Sequence, residues 1–412
     1  MNHFGEQFPI FNTISDPFVY FDNASTTQTP ITVIDAMSRY YTHDRSNVHR
    51  ALYPLSLNIS DRFEHARSKV QQFIGARCPQ EIVFTKGTTE SINLVAASLS
   101  ENYFQENDEI IVSLLEHHSN IVPWQVIAKR NKLNLRYLTV SETGDLSMEE
   151  LEKLISPRTK LVAVTHVSNS LGSVNPIHEI IQMVKKRNCL VLIDAAQSIA
   201  HIPIQVKELN CDFLVFSGHK MYGPTGIGVL YGKEEILREM HPYQTGGNQI
   251  RSVDVQQTIF ADLPSRFEAG TPNIAGVLGL EAAVNFITSY DPAEIIQYEY
   301  ELTNMLESRL SEIPFVNIIG KPKHRSSILS FTVENCHPTD VALLLGEKGI
   351  CLRSGYHCNE PLMNVLSSEG IIRVSLAPYN NADEIRYFCE KLIWARNLLH
   401  RNKNDIPSKS KI

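Results

Sequence analysis

The chain has 412 residues, 43% hydrophobic and 20% charged, with a formal net charge of −7. That length suits two domains and lets a folded chain bury roughly three quarters of its unfolded surface, so neither disulfides nor metals are needed for folding. The acidic balance argues against nucleic acid as a partner, and no apolar run reaches the roughly 20 residues of a membrane-spanning helix.

The first twenty residues lack the basic-then-apolar pattern of a secretory signal. The seven cysteines are Cys78, Cys189, Cys211, Cys336, Cys351, Cys358 and Cys389; they are widely spaced and include no CxxC pair. Free thiols in a reducing cytoplasm are expected, rather than a disulfide framework or a zinc cluster.

In chain order, Ile59, Phe63, Ala66, Val70, Phe73 and Ile74 recur at helical spacing and predict an amphipathic helix ending near Gly75. From residue 80 to 235, β-rich runs alternate with helical stretches such as 176–187. Strands are predicted at 81–85, 110–113, 135–140, 161–165, 190–193, 213–217 and 228–231. Several are continuous apolar runs, as in strands covered on both faces. This alternation predicts an α/β fold with a mostly parallel sheet between helical layers. After about residue 290 the pattern changes. A helix over 293–313, a strand at 327–333, a helix at 339–348, strands at 350–353 and 371–376, and a closing helix at 382–399 suggest a smaller α+β unit. The domain reading is 20–290 for the large unit, with 1–19 and 291–402 forming the small one. The polar tail 403–412 is expected to be disordered.

Five segments carry chemistry. In Ser217-Gly218-His219-Lys220, a lysine follows a wholly apolar strand and enters a glycine-rich loop, which suits a Schiff-base role. Asp194 closes the apolar run 190–193, at the strand end where open α/β sheets bind ligands; taken alone it could equally be a helix cap. Beside a cofactor lysine, such a carboxylate can hold a pyridinium nitrogen protonated. Gly87-Thr88-Thr89-Glu90 opens a helix and can bind an anion, though alone such a turn is usually only a capped helix start. In Glu116-His117-His118-Ser119-Asn120, an imidazole can stack on a ring or move protons, and no third ligand suggests a metal. In Arg353-Ser354-Gly355-Tyr356-His357-Cys358-Asn359-Glu360-Pro361, a thiol sits on a loop where it can be exposed enough to react. Arg373 follows, with a fork that suits a carboxylate.

Together with Tyr20-Phe21-Asp22-Asn23-Ala24-Ser25-Thr26-Thr27 and Phe267-Glu268-Ala269-Gly270-Thr271-Pro272-Asn273, these segments resemble the Suf-type (group II) cysteine desulfurases and selenocysteine lyases. That family is the class V branch of the fold-type I pyridoxal-phosphate (PLP) transferases. The likeness runs nearly end to end and implies a large domain with a seven-stranded sheet plus a smaller domain carrying the cysteine loop. It implies that Lys220 carries PLP, Asp194 pairs with the ring nitrogen, Gln197 bonds the phenolic oxygen and His117 stacks on the ring. Thr89, Ser217 and His219 hold the phosphate, with Thr271 arriving from a second subunit of a homodimer. Asn169, Arg353, Arg373 and His49 face the L-cysteine substrate, and Cys358 accepts its sulfur as a persulfide. That sulfur is then passed to an acceptor protein of the SufE or SufU type for iron–sulfur cluster assembly or other delivery.

The sequence departs from the family pattern in two places. Asn359 and Glu360 stand where a small residue and glutamine are usual, and Tyr53 replaces a second histidine. A carboxylate near a thiol disfavours the thiolate. Selenocysteine lyase, cysteine sulfinate desulfinase and C–S lyase are alternative reactions on the same scaffold. A non-catalytic relative is a further alternative, against which Lys220, Asp194 and His117 speak.

Overall fold

Most apolar runs of residues 80–235 become strands buried on both faces, while the edge strand Asn134–Leu138 stays partly exposed. The computed structural model describes residues 4–15, 17–366 and 369–404. Seven strands form one sheet in the order Ile82–Thr85, Gly228–Gly232, Phe213–Ser217, Leu190–Asp194, Thr159–Thr165, Glu109–Ser113 and Asn134–Leu138. Gly228–Gly232 runs antiparallel to both neighbours, and the remaining pairs are parallel. Alternate side chains enter opposite cores. Val191 and Ile193 join Ile180 and Val184 on one face, while Leu192 joins Phe213, Leu94 and Trp124 on the other. Each such aliphatic side chain contributes about 1.5–3 kcal/mol by leaving water.

This topology positions the site. Thr85, Ser113, Thr165, Asp194 and Ser217 all end strands at the same edge of the sheet, so the loops that follow them converge there. Gly228 begins the antiparallel strand at that edge. A Cβ on it would lie 2.4 Å from Gly87 Cα and 2.8 Å from Phe216 O, so only glycine lets the Gly87 turn sit against the sheet.

A second, antiparallel sheet has the order Val316–Ile319, Ile328–Val333, Ile371–Ser375, Arg353–Gly355. Its core contains Phe331, Ile372 and Val374 with Leu306 and Leu310 of helix Pro292–Ser311 and Phe388 and Leu392 of helix Ala382–Asn404.

The single strand expected at 350–353 is two strands. Ile350–Cys351 pairs in parallel with Val19–Tyr20, and Arg353–Gly355 pairs with Ile371–Ser375, because backbone groups of 349–351 bond to the N-terminal segment instead of the sheet. The strand expected at 135–140 is Asn134–Leu138, since Val140 turns to pair with Leu146. Of the N-terminal segment, Val19 and Phe21 enter the C-terminal core, whereas Phe4 and Phe8 pack on Tyr222 and Phe286 of the large core. The closing helix reaches Asn404, and the rest of the expected polar tail lies outside the described residues. A hairpin, Ile250–Val253 with Thr258–Phe260, was not foreseen, because its strands are exposed and carry no apolar run. Among the described residues, no helix is long and apolar enough to cross a membrane.

Candidate active site

The loops at the sheet edge and the loop after Gly355 enclose a pocket of about 290 Å³. Thr89, His117, Asn169, Asp194, Gln197, Ser217, His219, Lys220, Arg353, Cys358 and Arg373 all line it. His49 and Thr271 do not. His49 Nε2 lies 3.0 Å from Glu64 on helix Pro54–Phe73. Thr271 borders a separate hollow with Lys86, Glu90 and Tyr243.

Lys220 ends the short turn Gly218–Lys220 directly after strand Phe213–Ser217. Burial pulls its amine down to about 8; Asp194 opposes this shift and Arg373 reinforces it. Near neutral pH, a fraction of the amine is therefore uncharged and nucleophilic. Asp194 is buried at the end of the adjacent strand and accepts the Ala196 N–H at 2.9 Å. Burial raises its pKa, while the Ala196 bond and Lys220 pull the other way. Gln197 Nε2 donates to Ala24 O at 2.7 Å, which ties it to the Ala24–Ser25 wall of the pocket.

His117 caps the turn His118–Asn120, its Nδ1 accepting the Ser119 N–H at 3.1 Å. Burial, with repulsion from Lys220, pulls the imidazole down to about 3, so the ring is neutral across the physiological range. Beneath it, the fully buried Glu116 anchors the turn. It accepts from Thr165 N–H at 2.9 Å and from Asn120 Nδ2 at 2.6 Å, and Trp124 Nε1 donates to Asn120 Oδ1 at 2.9 Å. Burial pushes Glu116 up to about 8 despite these donors. Sequence reasoning passed over Glu116 as a site residue; its one signal was a carboxylate directly before the paired histidines.

An anion cradle lies at the N-terminus of helix Thr88–Asn102. Ser217 Oγ accepts the Thr88 N–H at 2.8 Å, and Thr89 Oγ1 lies 2.7 Å from Ser119 Oγ. Burial, followed by Lys220, lowers His219 to about 4.

Two arginines form the opposite wall. Arg373 is buried; Nη1 donates to Asn169 O at 2.8 Å, and Nη2 to Asp22 at 2.9 Å and Ser25 Oγ at 2.8 Å. Its Nε is buried without a partner among the described residues. Arg353 Nη1 also donates to Ser25 Oγ, at 2.8 Å. Sequence analysis did not single out Asp22 or Ser25, because their contact with Arg373 spans some 350 residues of chain.

Cys358 is half-buried on the pocket wall. His357 and Cys358 both adopt left-handed backbone, φ 51° and 54°. For residues with a Cβ this costs about 1–2 kcal/mol each. The loop is held by Asn169 Nδ2 donating to His357 O at 2.8 Å and by the His118 N–H donating to Cys358 O at 2.9 Å. Glu360, expected to bear on the thiol, pairs with His118, Oε2 lying 2.5 Å from Nε2.

The donor set fits PLP. A depressed lysine, a buried carboxylate, a neutral imidazole and hydroxyls at a helix N-terminus are the partners of an aldehyde, a ring nitrogen, a ring face and a phosphate. Among the described residues, no group of three or more His, Cys, Asp or Glu side chains is arranged to hold a metal.

Residues 19–388 match the aminotransferase class-V family. The cysteine desulfurase of Dickeya dadantii is 41% identical over 97% of this chain and 99% of its own. The probable cysteine desulfurase of Mycolicibacterium paratuberculosis is 45% identical over 90% of this chain, which spans about half (54%) of that relative's length. The cysteine desulfurase CsdA of Escherichia coli superposes with a TM-score of 0.90 at 36% identity, covering 96% of this chain and 98% of its own. The chain belongs to the aminotransferase class-V family, within the branch whose named members are cysteine desulfurases.

Proposed function

We propose that the chain is a PLP-dependent cysteine desulfurase that converts L-cysteine to L-alanine and retains the sulfur as a persulfide on Cys358. The observation that carries this reading is that Cys358 lines the same small pocket as Lys220, Asp194 and His117. In it, residues 20–290 form the cofactor-binding domain and 291–402 the domain bearing the cysteine loop, while the N-terminal segment divides between them, Phe4 and Phe8 packing on the former and Val19 on the latter.

When bound, PLP supplies an electron sink for the charge left as the substrate's α-hydrogen departs. Lys220 would hold the cofactor, and its depressed amine is suited to take up and return that proton. Asp194 holds the ring nitrogen protonated, the neutral His117 covers the ring face and Gln197 bonds the phenolic oxygen. Thr89, Ser217 and His219 hold the phosphate, completed by Thr271 of a second copy. Arg353, Arg373 and Asn169 orient the substrate carboxylate. Cys358, as thiolate, attacks the substrate sulfur. A sulfur–sulfur bond forms, the carbon–sulfur bond breaks, and its electron pair takes up a proton at carbon to complete the methyl group of alanine.

Support for a homodimer comes from Val253, Val255 and Ile259, which stand exposed on and beside the hairpin, and from the position of Thr271 outside its own chain's pocket. Among the residues lining the pocket, Cys358 is the only thiol, so the persulfide passes to a thiol from outside, on an acceptor protein. Free cysteines throughout suit a reducing cytoplasm. The test is to incubate the wild-type chain and Cys358→Ala with L-cysteine, then measure alanine and map persulfide by mass spectrometry. Alanine and a Cys358 persulfide in the wild type, with both lost in the variant, support the reading. Undiminished alanine from Cys358→Ala overturns it.

A further inference from the structure

We infer that His118 and Glu360 form a latch that keeps the Cys358 loop docked over the pocket, and that the loop opens by breaking this pair. The inference rests on the desulfurase reading for its purpose, though not for its geometry. The observations are local to one loop. Glu360 Oε2 lies 2.5 Å from His118 Nε2, within hydrogen-bonding distance. The Glu360 N–H also donates to the same nitrogen at 3.4 Å, so both contacts tie Glu360 to His118. The two side chains are partly open to solvent, 34% and 51% exposed, so the pair can break without stranding a buried charge.

The rest of the loop is poised between held and released. His357 and Cys358 occupy consecutive left-handed positions that the free chain would leave. Among the described residues, His357 Nδ1 and Asn359 Nδ2 are buried without partners, and opening would let water reach them. The contacts opposing release include Asn169 Nδ2 to His357 O, His118 N–H to Cys358 O and His357 Nε2 to Ile371 O at 3.3 Å, together with the His118–Glu360 pair. Of these, the ion pair is the one made by two side chains at the loop's outer rim. His118 follows the residue that covers the pocket, and Glu360 follows the thiol by two positions. The latch therefore joins the His117 turn directly to the sulfur-bearing loop. Glu360 acts as a positioning residue: it touches neither the substrate nor the reacting atoms, and it sets how often the sulfur on Cys358 faces outward.

The test uses the PLP-loaded full-length chain without substrate and a maleimide–polyethylene glycol reagent too large to enter the closed pocket. Labelling of each cysteine is followed by peptide mass spectrometry, with Cys78 as internal reference. An ion pair of this exposure contributes up to about 1 kcal/mol, so its loss raises the open fraction about fivefold. Glu360→Ala and His118→Ala are each expected to speed Cys358 labelling by about that factor, and the double variant by no more than either alone. Glu360→Gln, which keeps an acceptor oxygen but loses the charge, should fall between wild type and Glu360→Ala. Unchanged labelling, additive effects in the double variant, or an equal rise at Cys78 would overturn the latch. Because labelling needs no turnover, a wild-type chain that makes no alanine from L-cysteine would sink the activity and leave the latch intact; the converse holds equally.

Discussion

Arg67 grips Glu268 with both ends of its guanidinium, Nη1 2.7 Å from Oε1 and Nη2 3.0 Å from Oε2. Arg67 is buried on helix Pro54–Phe73, and Glu268 also accepts the Phe84 N–H at 2.7 Å. The pair thus fastens a helix and an edge strand to the segment leading to Thr271. Removing one partner leaves a buried charge, so Arg67→Ala should cost about 3–5 kcal/mol in urea unfolding. Replacing both residues with methionine should cost less than Arg67→Ala alone. A single-variant loss of under about 1 kcal/mol would show that the pair does not carry this junction.

Lys220 gives the chain without cofactor a distinctive pH response. Its amine is lowered from an ordinary 10.5 to about 8 in the folded chain. Between those values the unfolded chain holds a proton that the folded chain has released, so stability rises with pH across that window. Lys220→Met removes the titration and should be more stable than the wild type at pH 7, both free of PLP. That advantage should shrink as pH climbs from about 8 toward 10.5, read as the gap between urea midpoints. A constant gap would mean that the amine is not held low.

His201 predicts the opposite trend. Burial alone would lower its pKa, but Glu299, 2.8 Å from Nδ1, raises it above the ordinary 6.5. The stability from this charged pair is fully present below about 6.5 and is lost as pH rises through the elevated folded value. Wild type should therefore exceed His201→Gln most at pH 5.5–6.5, with the gap narrowing in alkali. The pair joins the turn after Asp194 to helix Pro292–Ser311, so limited proteolysis at that helix should follow the same pH course.

His117 stays neutral because burial and Lys220 pull it to about 3. A pH–rate profile near 6.5 should show no limb that disappears in a His117 variant. His117→Phe keeps a ring face and should retain PLP several-fold better than His117→Ala, the difference matching about 0.5–1.5 kcal/mol of ring stacking. Equal PLP affinities, measured by cofactor fluorescence titration, would remove stacking from its role.

The large sheet was legible because doubly covered strands must be apolar throughout, as in Phe213–Ser217 and Leu190–Asp194. The reversed direction of Gly228–Gly232 was not, since direction depends on pairing across the sheet and leaves the strand's own composition unchanged. Lys220 and Asp194 stood out locally, each closing an apolar run. Asp22, Ser25 and Glu116 did not, because their roles arise only when distant segments meet: Arg373 for the first two, Asn120 and Thr165 for the third. The pairing of Glu360 with His118 was likewise hidden, since the two lie some 240 residues apart in the chain.

Ser25 accepts from both Arg353 and Arg373 while its hydroxyl donates to Asp22 at 2.7 Å. A carboxylate entering the pocket therefore joins a network already largely satisfied, and the energy gained is a difference between two good arrangements. In the proposed reaction, the carboxylate of the product would therefore give back to Arg353, Arg373 and Ser25 a network they already form without it, so the walls of the pocket lose little when alanine leaves.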